Sequence, residues 1–531
     1  MPYTQPPQES SPLPVQVVFI FILGVLASTA YSQDVLTYHN NNSRTGYDSK
    51  ETILTLANVN VSTFGKLFIL PADGVVDAEP LYISNLSIGG VTHNVLIVAT
   101  EHDSVYAYDA DTGGLLWQVT MLKAGETTSG NHGCGQITPE IGITSTPVIS
   151  RRKTGNPIIY VVAMSKDSTG NYHQRLHALD ATTGAELENG PVDISAQYPG
   201  TGDNSSNGFV IFDPGQYAER VGLLLTGNTV YLAWTSHCDF RPYTGWIMGY
   251  NANTLAQTTV LDITPNGSEG GIWSSGGGMA ADNSGNIFLL DGNGVFDSTL
   301  NSSGFPNQGD YGNGFLRLTT TGGLAVADYF EMYNQASENG SDTDLGSGGA
   351  MLVNEKDSTG KVWQLALGAG KDGNLYVVDR TNLGKFNSTK NNIYQELNGV
   401  LGGGMWSMPA AFGSSVYYGP TGSPILRFQF SNAKLRSSTV AKTANSFSYP
   451  GSSPSISGNA GQNLILWANE YTNPGVLHAY NAKTLVELYN TNQAAAGRDQ
   501  FGAGNKFVTP MIANGKVYLG TTSGVAVFGL L

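Results

Sequence analysis

A chain of 531 residues that is 40% hydrophobic and only 13% charged holds enough apolar side chain for a large buried core, which excludes a disordered polyelectrolyte. Its 67 glycines follow no collagen-like period and many sit beside Asn, Asp or Ser, as turns require. A formal net charge of −15 repels phosphate backbones and argues against nucleic acid as a partner. No block of like charge is long enough to act as a tail, so the acidity is read as solubility.

Residues 15–26 (VQVVFIFILGVL) form an apolar run of signal-peptide length, too short for a comfortable membrane span. The small-residue stretch 27–32 follows it, and cleavage after Ser32 is expected. Residues 1–14 contain no Lys or Arg, so the usual positive n-region is missing. No Cys follows the run, which argues against a lipoprotein anchor, and no later segment is apolar enough to span a bilayer. Residues 1–32 are therefore read as an export segment, delivering a periplasmic or extracellular protein. Residues 33–59 are read as an N-terminal extension.

Residues 60–531 are read as one repeat body, because five segments rhyme. They are 106–113 (YAYDADTG), 176–184 (LHALDATTG), 247–255 (IMGYNANTL), 375–383 (LYVVDRTNL) and 477–485 (LHAYNAKTL). Each is a short alternating strand that runs into an Asp- or Asn-initiated turn, at Asp109, Asp180, Asn251, Asp379 and Asn481. The first three anchors are 71 residues apart, so long loops must intervene. A second rhyme opens the units, often with Pro: 79–83, 146–149, 408–412, 453–456 and 509–512, with Gly in its place at 276–281 and 348–353. An apolar strand lies between opening and anchor in each unit, the first at 95–99 and the last at 516–520. The count is eight four-stranded units with no long amphipathic helix. An all-β, eight-bladed β-propeller follows, because radial closure removes exposed sheet edges. The last unit lacks one strand, and residues 64–70 (FGKLFIL) are expected to complete it and close the ring. A pair of sandwiches or a β-helix does not explain the blade-length repeat.

Two cysteines, Cys134 and Cys238, make a candidate disulfide in an exported chain, the alternative being two buried thiols. Their spacing excludes a CxxC motif. Cys238 lies in 236–246 (SHCDFRPYTGW), an insertion read as a disulfide-pinned loop roofing the axial entrance. The Gly-rich 270–278 is not followed by a helix, so it is read as letting loops approach the axis rather than as a dinucleotide site. There is no GxSxG, and His102, His132, His177, His237 and His478 are scattered over different units, so no hydrolase triad is argued.

The pattern of 106–113 followed by Trp117 resembles the pyrroloquinoline quinone (PQQ) repeat, over essentially residues 60–531. That resemblance implies a quinoprotein-like propeller. The family's fold serves both PQQ- and calcium-dependent alcohol dehydrogenases and a cofactor-free assembly lipoprotein. Three positions are similar to the dehydrogenase site. Asn293 in 282–294 matches a calcium-ligand Asn, Asp344 in 342–346 matches the general base and a metal ligand, and Lys371 in 370–380 matches a quinone contact. Trp273 lies about three residues from the position of the family's floor Trp. The loop expected to carry the metal-ligand Glu reads 165–168 (SKDS), where Asp167 is the stand-in for calcium. Cys134 stands alone where a vicinal pair is expected, the Arg that follows such a pair is absent, and Glu140 lies in that stretch. There is no CxxCH haem site. Taken singly, Asn293, Asp344 and Lys371 are also ordinary turn residues.

Two functions from different classes follow. One is a monomeric binding module that takes a protein, glycan or small molecule at its axial loops, with no cofactor. The other is a dehydrogenase using PQQ and Ca²⁺ to oxidise an alcohol or sugar. A glycan-active enzyme ranks third, because no matched carboxylate pair is recognisable.

Overall fold

Each Asp or Asn turn closes on its own backbone. Asp109 Oδ1 accepts from the Thr112 amide at 2.8 Å, Asp180 Oδ1 from Thr182 at 2.8 Å and Asn251 Oδ1 from Asn253 at 2.9 Å. Asp379 and Asn481 do the same toward Thr381 and Lys483, each at 2.9 Å. The chain then reverses through a left-handed residue, Gly113 and Gly184 in the first two turns and Leu255 and Leu485 in two others.

The computed structural model describes residues 1–7, 33–187 and 189–531. The apolar run 15–26 and its small-residue stretch lie outside the described residues. The chain separates into two units, Met1–Ser32 and Gln33–Leu531, and all that follows concerns the second.

Among the described residues, eight sheets of four or five strands follow one another along the chain. The first is Leu81–Ile88, Val91–Ala99, Ser104–Asp109 and Leu115–Thr120, an antiparallel meander. The next six open with Val148–Ser150, Leu224–Thr226, Ala280–Ala281, Met351–Lys356, Ala410–Phe412 and Ser455–Asn459. The eighth opens with Met511–Ala513, and its outer edge is the early strand Phe64–Pro71, antiparallel to Gly524–Leu530. Both ends of the body therefore share one sheet. Opening strands of neighbouring sheets touch, as Leu224–Thr226 touches both Val148–Ser150 and Ala280–Ala281. Apolar side chains from facing sheets fill the layers between them. Trp234, Trp246 and Tyr217 pack with Tyr160 and Val162, and Phe64, Trp467 and Tyr489 pack with Phe528. The only α-helix among the described residues is Gln335–Gly340, and none is long and apolar enough to cross a membrane.

Opening strands leave one edge of backbone amides without a sheet partner, and a buried amide must find an acceptor. Residues 35–51 supply these acceptors as a strap across all eight sheets. Val35 exchanges two hydrogen bonds with Tyr82, each 2.9 Å, and the Leu36 carbonyl accepts from Ile149 at 2.8 Å. The carbonyls of Asn42, Ser43, Thr45 and Gly46 accept from Ala281, Leu352, Ala411 and Ile456 at 2.7–2.9 Å. The Asn42 amide donates to the Leu225 carbonyl at 2.9 Å, and Glu51 accepts from Gly515 at 2.9 Å.

Arg44 is the hub of the strap and is fully buried. It donates to the Met279 carbonyl at 2.8 Å, Thr37 Oγ1 at 2.7 Å and the Tyr38 carbonyl at 2.8 Å. A Cβ on Gly278 would fall 2.9 Å from the guanidinium, so glycine is what lets the strands close on it. Burial pulls the Arg44 pKa down to about 10.

Two predictions follow from this packing. Arg44→Ala orphans three buried acceptors and is expected to cost ~3–5 kcal/mol of unfolding free energy. A urea midpoint equal to wild type would show that the strap does not hold the sheets. The second concerns His478, buried between Glu470 at 3.0 Å and Glu487 at 2.7 Å. Burial opposes its charge, but the bonds to Glu470 and Glu487 outweigh it and raise its pKa. The contribution is fully present below the unfolded value of ~6.5 and is lost as pH rises through the higher folded value. The melting-temperature deficit of His478→Gln is therefore expected to be largest near pH 6 and to shrink in alkali, and a deficit flat in pH would refute the charged pair.

Candidate functional site

The end of the sheets away from the strap carries the loops that run into the opening strands. Three of these approach the axis through tight turns: Ser274–Gly276, Leu345–Ser347 and the segment around Trp406. Ser275 Oγ donates to the Ser347 carbonyl at 2.5 Å, and Ser347 Oγ to the Met405 carbonyl at 2.6 Å, so the three loops are tied together. Above them lies a cavity of about 190 Å³, lined by Arg220, Asp239, Trp273, Asp344, Lys371 and Trp406, among others.

Three residues singled out from the sequence meet beside this cavity, with Asp344 and Lys371 in its lining and Asn293 bonded to Asp344. Lys371 Nζ lies 2.5 Å from Asp344 Oδ2 and 2.6 Å from Asp342 Oδ1. The Asn293 backbone amide donates to Asp344 Oδ1 at 2.6 Å, and its side-chain amide to Asp342 Oδ1 at 3.0 Å. Asn293 Oδ1 is buried and has no hydrogen-bond partner among the described residues. Burial opposes the charge on Lys371, but Asp344 and Asp342 outweigh it and raise its pKa. Trp273 stands beside them. A Cβ on Gly292 would fall 2.8 Å from its indole and 3.1 Å from Asp344 Oδ1.

The loop carrying Cys238 and Asp239 forms part of the lining. Cys238 is joined to Cys134, with the two Cα atoms 5.6 Å apart and a separation of 104 in sequence. Beside the disulfide, the rings of His132 and His237 stack at 4.0 Å. Asp239 Oδ1 accepts from the Tyr243 hydroxyl at 2.7 Å. Burial raises the Asp239 pKa against that bond, and the charge of Asp344 adds to the rise.

Asp167 does not join this set. It sits in the turn between Ile158–Lys166 and Tyr172–Asp180, where Oδ1 accepts from the Thr169 and Asn171 amides, each at 2.9 Å. Asp167 is not in the lining of the pocket, whereas Asp239, from a loop of the next sheet, is. Its position directly after a cysteine expected to roof the axis was the available signal. Glu140 is held by Thr128 Oγ1 at 2.7 Å and His102 at 3.0 Å.

Arg220 escaped the sequence reading. It precedes the opening strand of the third sheet, the one unit whose opening rhyme is missing from the sequence. It is 5% exposed, and its Nε has no hydrogen-bond partner among the described residues. Its guanidinium carbon lies 4.6 Å from the centre of the Phe507 ring. Burial lowers its pKa, and the charges of Asp77, Tyr449 and Glu101 oppose that. Lys506, next to Phe507, donates to the Gly135 carbonyl at 3.1 Å. Among the described residues no group of three or more His, Cys, Asp or Glu side chains is disposed to hold a metal ion.

Solved structures resemble this chain over nearly its full length. The quinohemoprotein alcohol dehydrogenase of Comamonas testosteroni superposes with a TM-score of 0.59 at 14% identity, over 94% of this chain and 80% of that one. The corresponding enzyme ADHIIG of Pseudomonas putida HK5 gives 0.62 at 14% identity, over 94% and 80%. A europium-containing methanol dehydrogenase gives 0.60 at 14% identity, over 94% and 98%. The fold is that of a quinoprotein-type β-propeller. No family model and no curated protein matches the sequence. At this identity the likeness shows architecture and leaves chemistry to the residues.

The disulfide makes the site's own prediction. Thiol titration of the denatured, unreduced protein should find no free thiol. Reduction should cost ~4–5 kcal/mol for a loop of this length. Two titratable thiols, or a stability indifferent to reductant, would remove the pinned roof.

Proposed function

We propose that this chain is an exported, monomeric propeller whose axial pocket binds a flat, multiply anionic small molecule together with a hard cation. Arg220 carries the reading. A guanidinium buried without a hydrogen-bonded acceptor costs stability unless a ligand supplies one. Lys506 and Lys371 place further positive charge in the neighbourhood. Trp273, Trp406 and Phe507 supply flat apolar surface of the kind that sandwiches a ring. On the other wall the carboxylates of Asp344 and Asp239 are hard oxygen donors suited to Ca²⁺, and the orphaned Oδ1 of Asn293, which is bonded to Asp344 and Asp342, adds a third beside them.

PQQ with Ca²⁺ fits this donor set, with Arg220 and Lys371 toward the carboxylates and quinone oxygens and Asn293, Asp344 and Asp239 toward the cation. When bound, that pair supplies a two-electron acceptor and a Lewis acid for oxidising an alcohol or sugar. The chain's own part is proton handling and exclusion of water. Asp344 Oδ1 is already committed to the Asn293 amide, so Oδ2 is the atom that takes the proton of a substrate hydroxyl. Lys371 now occupies Oδ2 and must swing away or share it. The loop pinned by the disulfide keeps the pocket small.

One observation favours a second reading, a binding module without redox chemistry. The Lys371 ammonium already neutralises Asp344, so an anionic ligand can bind with no metal.

Thermal unfolding of the mature protein with PQQ, with Ca²⁺ and with both separates these readings. At a hundredfold excess over Kd, specific binding adds ~2.7 kcal/mol. The dehydrogenase reading expects a rise that needs both ligands and is lost in Asn293→Ala and Arg220→Leu. A rise with PQQ alone that survives Asn293→Ala supports the binding module. No shift in any arm overturns PQQ as the ligand.

A further inference from the structure

A cavity larger than the axial one lies elsewhere among the described residues. About 550 Å³ opens at the other end of the sheets, between the strap and the fourth, fifth and sixth sheets. Its walls include Tyr47, Asn283, Asn354, Gln364, Arg380 and Phe412. The axial pocket is built from residues that precede the opening strands, such as Arg220 and Trp273, and from loops between second and third strands, which carry Asp239 and Lys371. This cavity is built from the far halves of those strands and from the turns beyond them.

The lining chemistry is specific. Arg380 is only 7% exposed, and its Nε has no hydrogen-bond partner among the described residues. Nη2 donates to Asn354 Oδ1, which orients the Asn354 amide. Arg380 is fixed from behind, because its backbone carbonyl accepts from Arg317 Nη1 at 2.6 Å. Burial lowers the Arg380 pKa, and the charges of Asp282 and Asp379 oppose that, so the guanidinium already has anionic neighbours. Asn283 and Gln364 are exposed amides whose side chains bond nothing among the described residues. Tyr47 and Phe412 meet edge to face at 4.8 Å between ring centres and form an apolar platform. The Tyr47 hydroxyl accepts from the Gly461 amide at 3.2 Å, which holds the ring in place.

We propose that this cavity is a binding site for a short, neutral oligosaccharide. Sugar hydroxyls both donate and accept, which matches the two unpartnered amides of Asn283 and Gln364 and the Arg380 guanidinium, which uses Nη2 on Asn354 and has no partner at Nε. The C–H faces of a pyranose pack on aromatic rings while its edges bond outward. An apolar ligand would strand the same polar groups away from water. The volume lies in the ~300–1,000 Å³ range of small-molecule sites. The site is independent of the axial reading and shares no residue with that pocket.

Saturation-transfer NMR on the mature protein tests this with maltotriose, cellotriose and tri-N-acetylchitotriose, and with trigalacturonate as the anionic probe. Transfer is expected from at least one neutral trisaccharide. The double variant Asn283→Ala/Gln364→Ala changes two exposed side chains, so it should melt like wild type. Losing two ligand hydrogen bonds of ~1 kcal/mol each should weaken binding about tenfold or more. Arg380→Gln should weaken it as well while leaving any axial-ligand shift unchanged. No transfer from any neutral trisaccharide, transfer from trigalacturonate alone, or affinity unmoved in the double variant would each overturn the proposal.

Discussion

The structure depends on satisfying the inner edges of its sheets. Each sheet is a local meander that can form from its own turns, but each also presents a row of amides toward the axis. Water cannot serve those groups once the sheets close, and side chains there would hold the sheets apart. The strap answers both demands mostly with backbone, adding the Asn42 and Glu51 side chains at the third and eighth sheets. Between Val35 and Glu51 it bonds to every sheet in turn, from Tyr82 in the first to Gly515 in the last. Arg44 ties the strap to the sheets, donating to the Met279 carbonyl beside the fourth sheet and to Tyr38 and Thr37 within the strap, and Gly278 leaves it the room. A buried guanidinium is costly unless its donors are used, and here they are used on two main-chain carbonyls and the Thr37 hydroxyl.

Sealing one end decides where function can sit. Because Phe64–Pro71 pairs with Gly524–Leu530, the two ends of the body are held in one sheet and neither needs to cross the open face. The loops of that face are then free to differ. They carry the glycine-rich approach at Gly276 and Gly277, the disulfide roof and the ion pairs of Lys371. The strap end is not inert, since its crossing creates the hollow beside Tyr47 and Arg380.

What could be read from the sequence follows from the range of each interaction. The turns at Asp109 and Asn481 were legible because the side chain bonds a backbone amide two or three residues on. The all-β character followed from strands of alternating pattern between such turns. The Cys134–Cys238 bridge was legible because two cysteines leave one pairing. The meeting of Asn293, Asp344 and Lys371 entered through resemblance, since nothing local in DGNG or DTDLG distinguishes a site from a turn. The strap was illegible. Residues 39–46 (HNNNSRTG) have no apolar period, and their partners lie up to 415 residues away and are mostly main chain. Asp167 was misplaced for a related reason, because counting loops along the chain cannot tell which carboxylate turns inward. Asp239 does so only because its residue and Cys238 both take left-handed backbone under the disulfide.

The axial pocket is electrostatically unbalanced, and the imbalance has a direction. On one wall the carboxylates of Asp342, Asp344 and Asp239 outnumber the single ammonium of Lys371. On another, Arg220 faces an aromatic ring with no carboxylate hydrogen-bonded to it. In a medium of low dielectric the two walls would lower their energy by moving together, but they are mounted on different sheets and the strap fixes those sheets. The unmet demand is therefore held in place. A ligand that brings an anionic group to Arg220 and positive charge to the Asp344 wall gains both terms without rearranging the fold. Preorganisation of this kind costs the free protein stability, and the layers between the sheets have the apolar surface to sustain it.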